Sequence, residues 1–558
     1  MAMIKIKCPY CFEDFENDNV HFRSEFISKE DDNPLPEEYT DINDYKEKMQ
    51  RLDEKIKDNQ EEGKPVSPDD QKKFSDKDRI MSEYEDWAFF SVRPDPKYEE
   101  FWSKYNGTTE QESPADKRNQ IKTYERPIIS CSLLAERNIE YELLPQDFNE
   151  TGKILEGIKM KGAVTRKRVC PHCHNPLPEG YGKNPVKYIA VVGITQAGKT
   201  VYLSQLLRKI DLYAEKVGLT IDENSLSIRN FIEANFVEAN EELPGGTEKD
   251  SLQQPLFYDL SISRPNGIIE KETLVMYDVA GESFEHKDLV DKFAPFVEHA
   301  DGVILLVPPS QLTVMERIGI TQKTKARPKA VLGVIKDRIN HGDANTKIKL
   351  PVAVCISQAD LIMKDELITI LGRELIDNLR NDAQGVKDPN GRYIKEFNAR
   401  HYNPIGKGLN DFFNDYGDGL ASYMNQQYDN YAWFAFTSLG CSVTDKPVES
   451  ENGEKKVSVP VGPINPKHVE DPLLWLFYRF GYIGTNEKVF SPGEPLVSCP
   501  ECGSSDIIFR DTKVTEVVEQ EKKNLLSKFL PFKGKEKQCI EYDTICSDCG
   551  HKWLRETK

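Results

Sequence analysis

The octapeptide Gly193-Ile-Thr-Gln-Ala-Gly198-Lys199-Thr200 has the residue types and the spacing to hold a chain of phosphates. It follows the apolar run Tyr188-Ile-Ala-Val-Val192 and precedes Val201-Tyr-Leu-Ser-Gln-Leu-Leu207, so a strand, a glycine loop and a helix succeed one another. Glycines let backbone N–H groups close around a phosphate, and the helix N-terminus adds its dipole. In this reading Gly193, Gln196, Ala197 and Gly198 line the cradle, Lys199 reaches the β- and γ-oxygens, and the Thr200 hydroxyl ligates Mg²⁺. The competing reading is a glycine-rich turn in a parallel sheet.

A carboxylate turn follows downstream. Two β-rich runs, Pro255 to Ile262 and Glu272 to Tyr277, flank Arg264-Pro-Asn-Gly267, and the second ends in Asp278-Val-Ala-Gly281-Glu282. A carboxylate at the end of a buried strand supports Mg²⁺, and Gly281 can turn its N–H onto a γ-phosphate. Loss of the γ-phosphate would remove that bond, so the pattern predicts a loop that changes with nucleotide state.

Of twelve cysteines, eight fall in Cys-x-x-Cys pairs: Cys8/Cys11, Cys170/Cys173, Cys499/Cys502 and Cys546/Cys549. That is a metal-ligand spacing, and two such turns make the halves of a zinc ribbon with four thiolates around one ion. The reading therefore expects two Zn²⁺ per chain, one on Cys8, Cys11, Cys170 and Cys173, the other on Cys499, Cys502, Cys546 and Cys549. In the first ribbon 158 residues separate Cys11 from Cys170, so a large segment, about 12–169, is inserted and needs structure of its own. Its first part, about 29–86, is charged and reads as a solvated helix or partly disordered arm; its second part has the aromatic content to pack. His172, His174 and His551 lie beside cysteines but are superfluous to sites already holding four thiolates. Redox dithiols and other pairings of the four knuckles are the rival readings.

With 558 residues, 38% hydrophobic and 30% charged, the chain reads as two to four globular domains. A net charge of −19 argues against a general coat of nucleic acid or membrane, leaving local patches open. No stretch has the roughly 18 apolar residues of a membrane span, and the first residues lack the apolar core of a signal peptide. Cytoplasm is the expected compartment. The expected divisions are 1–183, the split ribbon with its insertion; 184–490, the nucleotide domain; and 491–558, the C-terminal ribbon with a basic hairpin.

Taken together, the motifs resemble the translation-factor-related, Ras-like GTPases, and the resemblance implies an α/β P-loop NTPase domain with a mixed, mostly parallel sheet. Leu243-Pro-Gly-Gly-Thr247 stands where that family keeps its first switch, which implies that Thr247 closes over Mg²⁺ and the γ-phosphate. Ala300-Asp-Gly-Val-Ile-Leu-Leu-Val307 and Val352-Ala-Val-Cys-Ile-Ser357-Gln358-Ala-Asp360 supply the next buried strands. The family ends the latter in Asn-Lys-x-Asp, whose aspartate reads guanine; only Asp360 matches, and Ser357 and Gln358 depart from the pattern. Asp360 would otherwise be a helix N-cap. Trp433-Phe-Ala-Phe-Thr437-Ser438-Leu fits the loop that touches the base from its other edge, with Ser438 in it. Glu282 stands where the family often keeps a water-orienting glutamine, which implies slow hydrolysis, and Arg317 and Arg327 read as surface charges rather than arginine fingers. The implied catalytic set is Lys199, Thr247, Gly281 and Glu282, with Thr200, Thr247 and Asp278 on magnesium.

More narrowly, the loop, the Asp471-Pro-Leu-Leu-Trp475 helix and the flanking ribbons resemble the double-GTPase proteins of prokaryotic conflict systems. One P-loop is visible, so a second GTPase would be another polypeptide. Ribbons contact protein or nucleic acid. Residues 521–537 carry six lysines, two glutamates and five large apolar residues, suited to an acidic groove or membrane surface, or to a solvated hairpin tip. The resulting expectation is a GTP-binding and GTP-hydrolysing switch with protein partners. Its rivals are an ATPase on the same fold, suggested by Ser357-Gln358, and a nucleotide-stabilised adaptor without turnover, suggested by Glu282 and the ribbons.

Overall fold

The computed structural model describes residues 5–105, 121–148, 152–194, 197–223, 226–244, 252–263, 268–280, 291–320, 328–340, 346–381, 391, 393–450, 453–485, 487–492, 501, 507–521, 535–546 and 550–554. At its centre a seven-stranded mixed sheet is built from β1 (Val186–Gly193), β2 (Leu219–Glu223), β3 (Leu256–Ser263), β4 (Ile269–Ala280), β5 (Gly302–Val307), β6 (Val352–Ile356) and β7 (Tyr431–Ala435). Their spatial order is β2-β3-β4-β1-β5-β6-β7. Strands β4, β1, β5, β6 and β7 run parallel, and β3 is antiparallel to both β2 and β4.

Continuous apolar sequence explains the parallel part. Gly302–Val307, Val352–Ile356 and Tyr431–Ala435 are buried along their whole length, as strands covered on both faces must be. Helix α1 (Lys199–Arg208) and helix α3 (Asp471–Arg479, Pro472 in its first turn) pack on one face, where Ile189, Val191, Leu203, Leu206, Trp475 and Leu476 share a core. Between them in the chain, α2 (Ala399–Tyr416) contributes Ile405, Leu409 and Phe413 to the core of the opposite face.

That opposite face also receives the N-terminal part of the chain. Its charged arm is an antiparallel pair of helices, Ile42–Glu61 and Pro68–Phe89, capped by Asp41 and Ser67. The pair encloses a small core of Tyr45, Met49, Leu52 and Ile56. A third helix, Pro96–Lys104, starts at Asp95, whose side chain accepts from Lys97 N and Tyr98 N. The short strands Lys5–Lys7 and Asp14–Glu16 pair with each other, and Lys167–Val169 pairs with His21–Arg23. Near the C-terminus, Ile507–Glu521, Lys535–Cys546 and Lys552–Trp553 form an antiparallel sheet. Most of the basic stretch, 522–534, lies outside the described residues. No helix among the described residues is long and apolar enough to cross a membrane.

Candidate functional site

The C-terminal ends of β1, β4 and β6 bring together the groups the motifs singled out. Gly193 ends β1, and a Cβ placed there would lie 2.9 Å from Lys199 Cβ, so only glycine lets the lysine fold back along the loop. Gly198 turns the chain at φ 70°, a left-handed conformation natural to glycine, and α1 begins at the next residue. Lys199 is thereby placed 2.9 Å from the Asp278 carboxylate at the end of β4, both side chains being nearly sealed from water (8% and 2% exposed). Neither Lys199 Nζ nor either Asp278 oxygen makes a well-aligned hydrogen bond. A buried ammonium and a buried carboxylate with unused hydrogen-bonding capacity fit a phosphate and a hydrated magnesium ion.

Asp360 sits after β6, with its Oδ1 accepting from Thr437 Oγ1 at 2.7 Å. Thr437 accepts in turn from Gly440 N at 2.9 Å. Thus Asp360 is fixed by the loop after β7, beside Ser438, rather than serving as a helix cap: its helix, Ala359–Leu361, has no side-chain cap. Gln358 occupies the left-handed region at φ 54°, and its Nε2 lies 3.7 Å from a Cβ built on Gly198, so it leans over the phosphate loop. Ser357 Oγ is buried without a hydrogen-bond partner. Ala197 is buried, and Arg317 is exposed on the surface. Gln196, Thr247, Gly281, Glu282 and Arg327 lie outside the described residues.

Gly440 is forced by packing. At φ 63°, its Cβ would lie 2.0 Å from Asn465 O, because the chain returns directly across it. Gly440→Ala is expected to destabilise the protein by about 2 kcal/mol or more, from left-handed strain and overlap together. Thermal unfolding checks this; an unchanged Tm would show that the return strand yields freely. Between these crossing points lies a hairpin, Ser442–Ser450 paired with Gly453–Val461, that the motifs did not reveal. Its outer edge accepts from Asn240 N at Pro460 O (3.1 Å) and from Leu243 N at Ser458 O (2.9 Å), so it holds the chain up to the first residue of the expected first switch.

The four cysteines of the split pair converge, with all Sγ atoms within 4.8 Å of one another. Cys8 and Cys173 are 3.7 Å apart and Cys11 and Cys170 3.8 Å apart. Sulfurs about 2.3 Å from a tetrahedral zinc lie about 3.8 Å from each other, whereas a disulfide requires about 2.05 Å. The two turns repeat one geometry. Phe12 N donates to Cys8 O at 3.0 Å and His174 N to Cys170 O at 2.9 Å, with φ of 60° at Phe12 and 52° at His174. Tyr10 N reaches Cys8 Sγ at 3.4 Å and His172 N reaches Cys170 Sγ at 3.3 Å, donors suited to thiolates. Burial first, then the neighbouring thiols, pushes the Cys8 thiol well up, so a cation is what would let four thiolates share this volume.

The histidines beside the cysteines serve elsewhere. His174 Nδ1 lies 2.9 Å from both oxygens of Asp95 and its Nε2 3.3 Å from His21 Nδ1. Asp95 also takes Arg23 Nη2 at 2.7 Å. Burial opposes ionisation of Asp95, yet the His174 hydrogen bond and the Arg23 charge outweigh it and hold the carboxyl below its usual range. One aspartate therefore caps a helix and braces a knuckle, a role invisible without the fold. The expected second zinc site lies outside the described residues: Cys499, Cys502 and Cys549 are not described, and only the backbone of Cys546 is.

The first knuckle rests on the sheet. Tyr277 Oη donates to Pro9 O at 2.8 Å, and Tyr181 Oη, 2.9 Å from Tyr188 Oη, donates to Lys7 O at 3.0 Å. Phe12 meets Tyr277 edge-on at 5.8 Å and stacks on His299 at 4.6 Å.

Residues 187–413 match the family model described as Double-GTPase 2. The putative ESX-1 scaffolding and assembly protein SaeC of Mycolicibacterium smegmatis (strain ATCC 700084 / mc(2)155) is 29% identical over 150 residues, 25% of this chain. The matched stretch spans 38% of that relative's length. Among solved structures, the S. cerevisiae Ski7 GTPase-like domain, bound to GTP, shows 13% identity and a TM-score of 0.20, covering 46% of this chain and 43% of that chain. The phosphate loop, Asp278 and Asp360 all fall within the segment that the family model matches, and over it, a little under half of the chain, this protein is similar to the double-GTPase family of P-loop proteins.

Proposed function

We propose that the protein is a GTP-binding, slowly GTP-hydrolysing molecular switch that acts on protein partners through its zinc modules. The observation that carries this reading is the placement of the Lys199–Asp278 pair and the Thr437-held Asp360 at the same edge of one sheet. The ends of β1 and β4 offer charge for phosphates and magnesium, and the end of β6, on the far side of β5, offers a fixed carboxylate for a base. In this reading Lys199 and Thr200 bind phosphate and Mg²⁺, Asp278 supports the ion, Thr247 and Gly281 sense the γ-phosphate, Glu282 faces the attacking water, and Ser438 borders the base. The domain divisions at 183 and 490 and the second zinc on Cys499, Cys502, Cys546 and Cys549 belong to the same proposal.

A partner protein is favoured because the relative is named for scaffolding and assembly, and because the resemblance to conflict-system proteins implies a second GTPase. The ATPase reading is favoured by Ser357 and Gln358, neither of which supplies the family's usual contact to guanine. Chromatography of the nucleotide released from denatured, purified protein decides between GTP and ATP; a hydrolysis assay separates a switch from a static adaptor.

Asp360→Asn is expected to weaken GTP binding and shift preference towards xanthine nucleotides, by about 1 to 3 kcal/mol in base discrimination. Competition binding with GTP, XTP and ATP measures it. An unchanged GTP to ATP ratio would leave Asp360 with the structural job of anchoring Thr437.

A further inference from the structure

We propose that zinc at the split site and nucleotide at the phosphate loop are thermodynamically linked, with Phe12 and Tyr277 carrying the coupling. The proposal rests on the nucleotide reading above. Its basis is where the first knuckle touches the sheet. The chain that carries Asp278 packs on the zinc module at two flanks, one on β4 and one at 293–299. At the near flank is Tyr277, next in sequence to Asp278, which donates to Pro9 O between the two cysteines of the knuckle. At the far flank are Phe293, Phe296 and His299: Phe12 lies 5.2 Å from the Phe296 ring and stacks on His299, and Tyr105 lies 5.7 Å from Phe293.

Phe12 is held at φ 60°, a backbone conformation that phenylalanine rarely adopts, by its N–H bond to Cys8 O. The knuckle fixes that turn, and zinc fixes the knuckle. Loss of the metal frees the ring that sits on both flanks, so the end of β4 loses the support that aims Asp278. The converse follows by reciprocity: whatever nucleotide gains from a fixed Asp278, zinc gains from bound nucleotide. A free-energy difference between two states is what couples two sites, and here it comes from the seating of Phe12 and Pro9 against β4.

The test uses the full chain carrying Cys499→Ser and Cys502→Ser, so that the split site is the remaining zinc centre. The equilibrium partition of zinc between the protein and a chromophoric chelator is measured with and without a saturating non-hydrolysable GTP analogue and Mg²⁺, saturation being read from a fluorescent analogue. Nucleotide is expected to raise the apparent zinc affinity about fivefold or more. Phe12→Asn, which suits the left-handed backbone but lacks the ring, is expected to keep its zinc and lose the gain. Tyr277→Phe, which lacks only the hydroxyl that donates to Pro9 O, should lose part of it. In the unmodified chain the same gain in affinity is expected for one of two zinc pools. Equal zinc affinities at demonstrated saturation overturn the linkage and leave the nucleotide reading standing. A gain undiminished in both Phe12→Asn and Tyr277→Phe also overturns it, since the coupling would then run elsewhere. A zinc-loaded chain that binds no nucleotide overturns the reading beneath and this proposal with it.

Discussion

Lys199→Ala is expected to weaken binding of GTP and ATP about 100-fold, the effect of losing about 3 kcal/mol of charge-assisted hydrogen bonding to phosphate. The structure adds a second consequence. Lys199 is the cation beside Asp278, which is itself nearly sealed from water, so truncation strands a buried carboxylate. Breaking a buried pair from one side costs about 3 kcal/mol, which for a domain this large lowers Tm by several degrees. The double variant Lys199→Ala with Asp278→Asn should therefore recover stability without recovering binding. Fluorescent-nucleotide titration and thermal unfolding, run on all three proteins, separate the two losses. A single variant that bound as the parent does would remove the phosphate assignment.

Cys170→Ser combined with Cys173→Ser should cost more than any other change considered. Tethering the ends of a loop of about 158 residues restricts the unfolded chain by about 4 to 5 kcal/mol, and structural zinc in small fingers contributes about 10 to 16 kcal/mol at neutral pH. Set against the 5 to 15 kcal/mol that holds a typical domain, the loss exceeds what the N-terminal module can absorb. Read from the sequence alone, the variant would loosen residues 1–183 and spare the nucleotide domain. The packing of Phe12, Tyr10 and Pro9 on Tyr188, Phe257 and Tyr277 predicts that the sheet is destabilised as well. Elemental zinc per chain and limited proteolysis measure both effects. Parent protein that carried no zinc when freshly reduced, or whose four thiols formed disulfides, would sink the ribbon assignment.

What could be read in advance was whatever short sequence determines. The run before Gly193 is apolar on both faces and is followed at once by the glycine loop, which together suit a strand covered on both sides, and the helix after Lys199 follows from a left-handed glycine and good helix formers. Cys-x-x-Cys turns make their own geometry, so the knuckles are legible in the sequence, whereas the fold is what selects the pairing of Cys8/Cys11 with Cys170/Cys173 over the rival pairings. Strand β2, Leu219–Glu223, went unread because five residues that end in two acids give little periodicity. The hairpin from Ser442 to Val461 was hidden by its polar sequence and by Pro447 and Pro460; Pro460 sits on a strand edge, where its carbonyl faces outward and a missing N–H is tolerated. The double duty of Asp95 and the seat of Phe12 depend on residues far apart in the chain. No local pattern encodes them.

The seating of the first knuckle also governs how this protein can be cut. A fragment beginning at 184 keeps the family-matched segment but strips the cover from Tyr188, Phe257, Tyr277 and Phe296, which belong to one core with Tyr10 and Phe12. Each large side chain returned to water forfeits about 1.5 to 3 kcal/mol, and together they make a contiguous apolar patch of the kind that drives self-association. A shorter piece chosen by motif boundaries would therefore be sticky rather than autonomous, and trimming the helical pair Ile42–Glu61 and Pro68–Phe89, which has its own small core, is the gentler way to make the chain smaller.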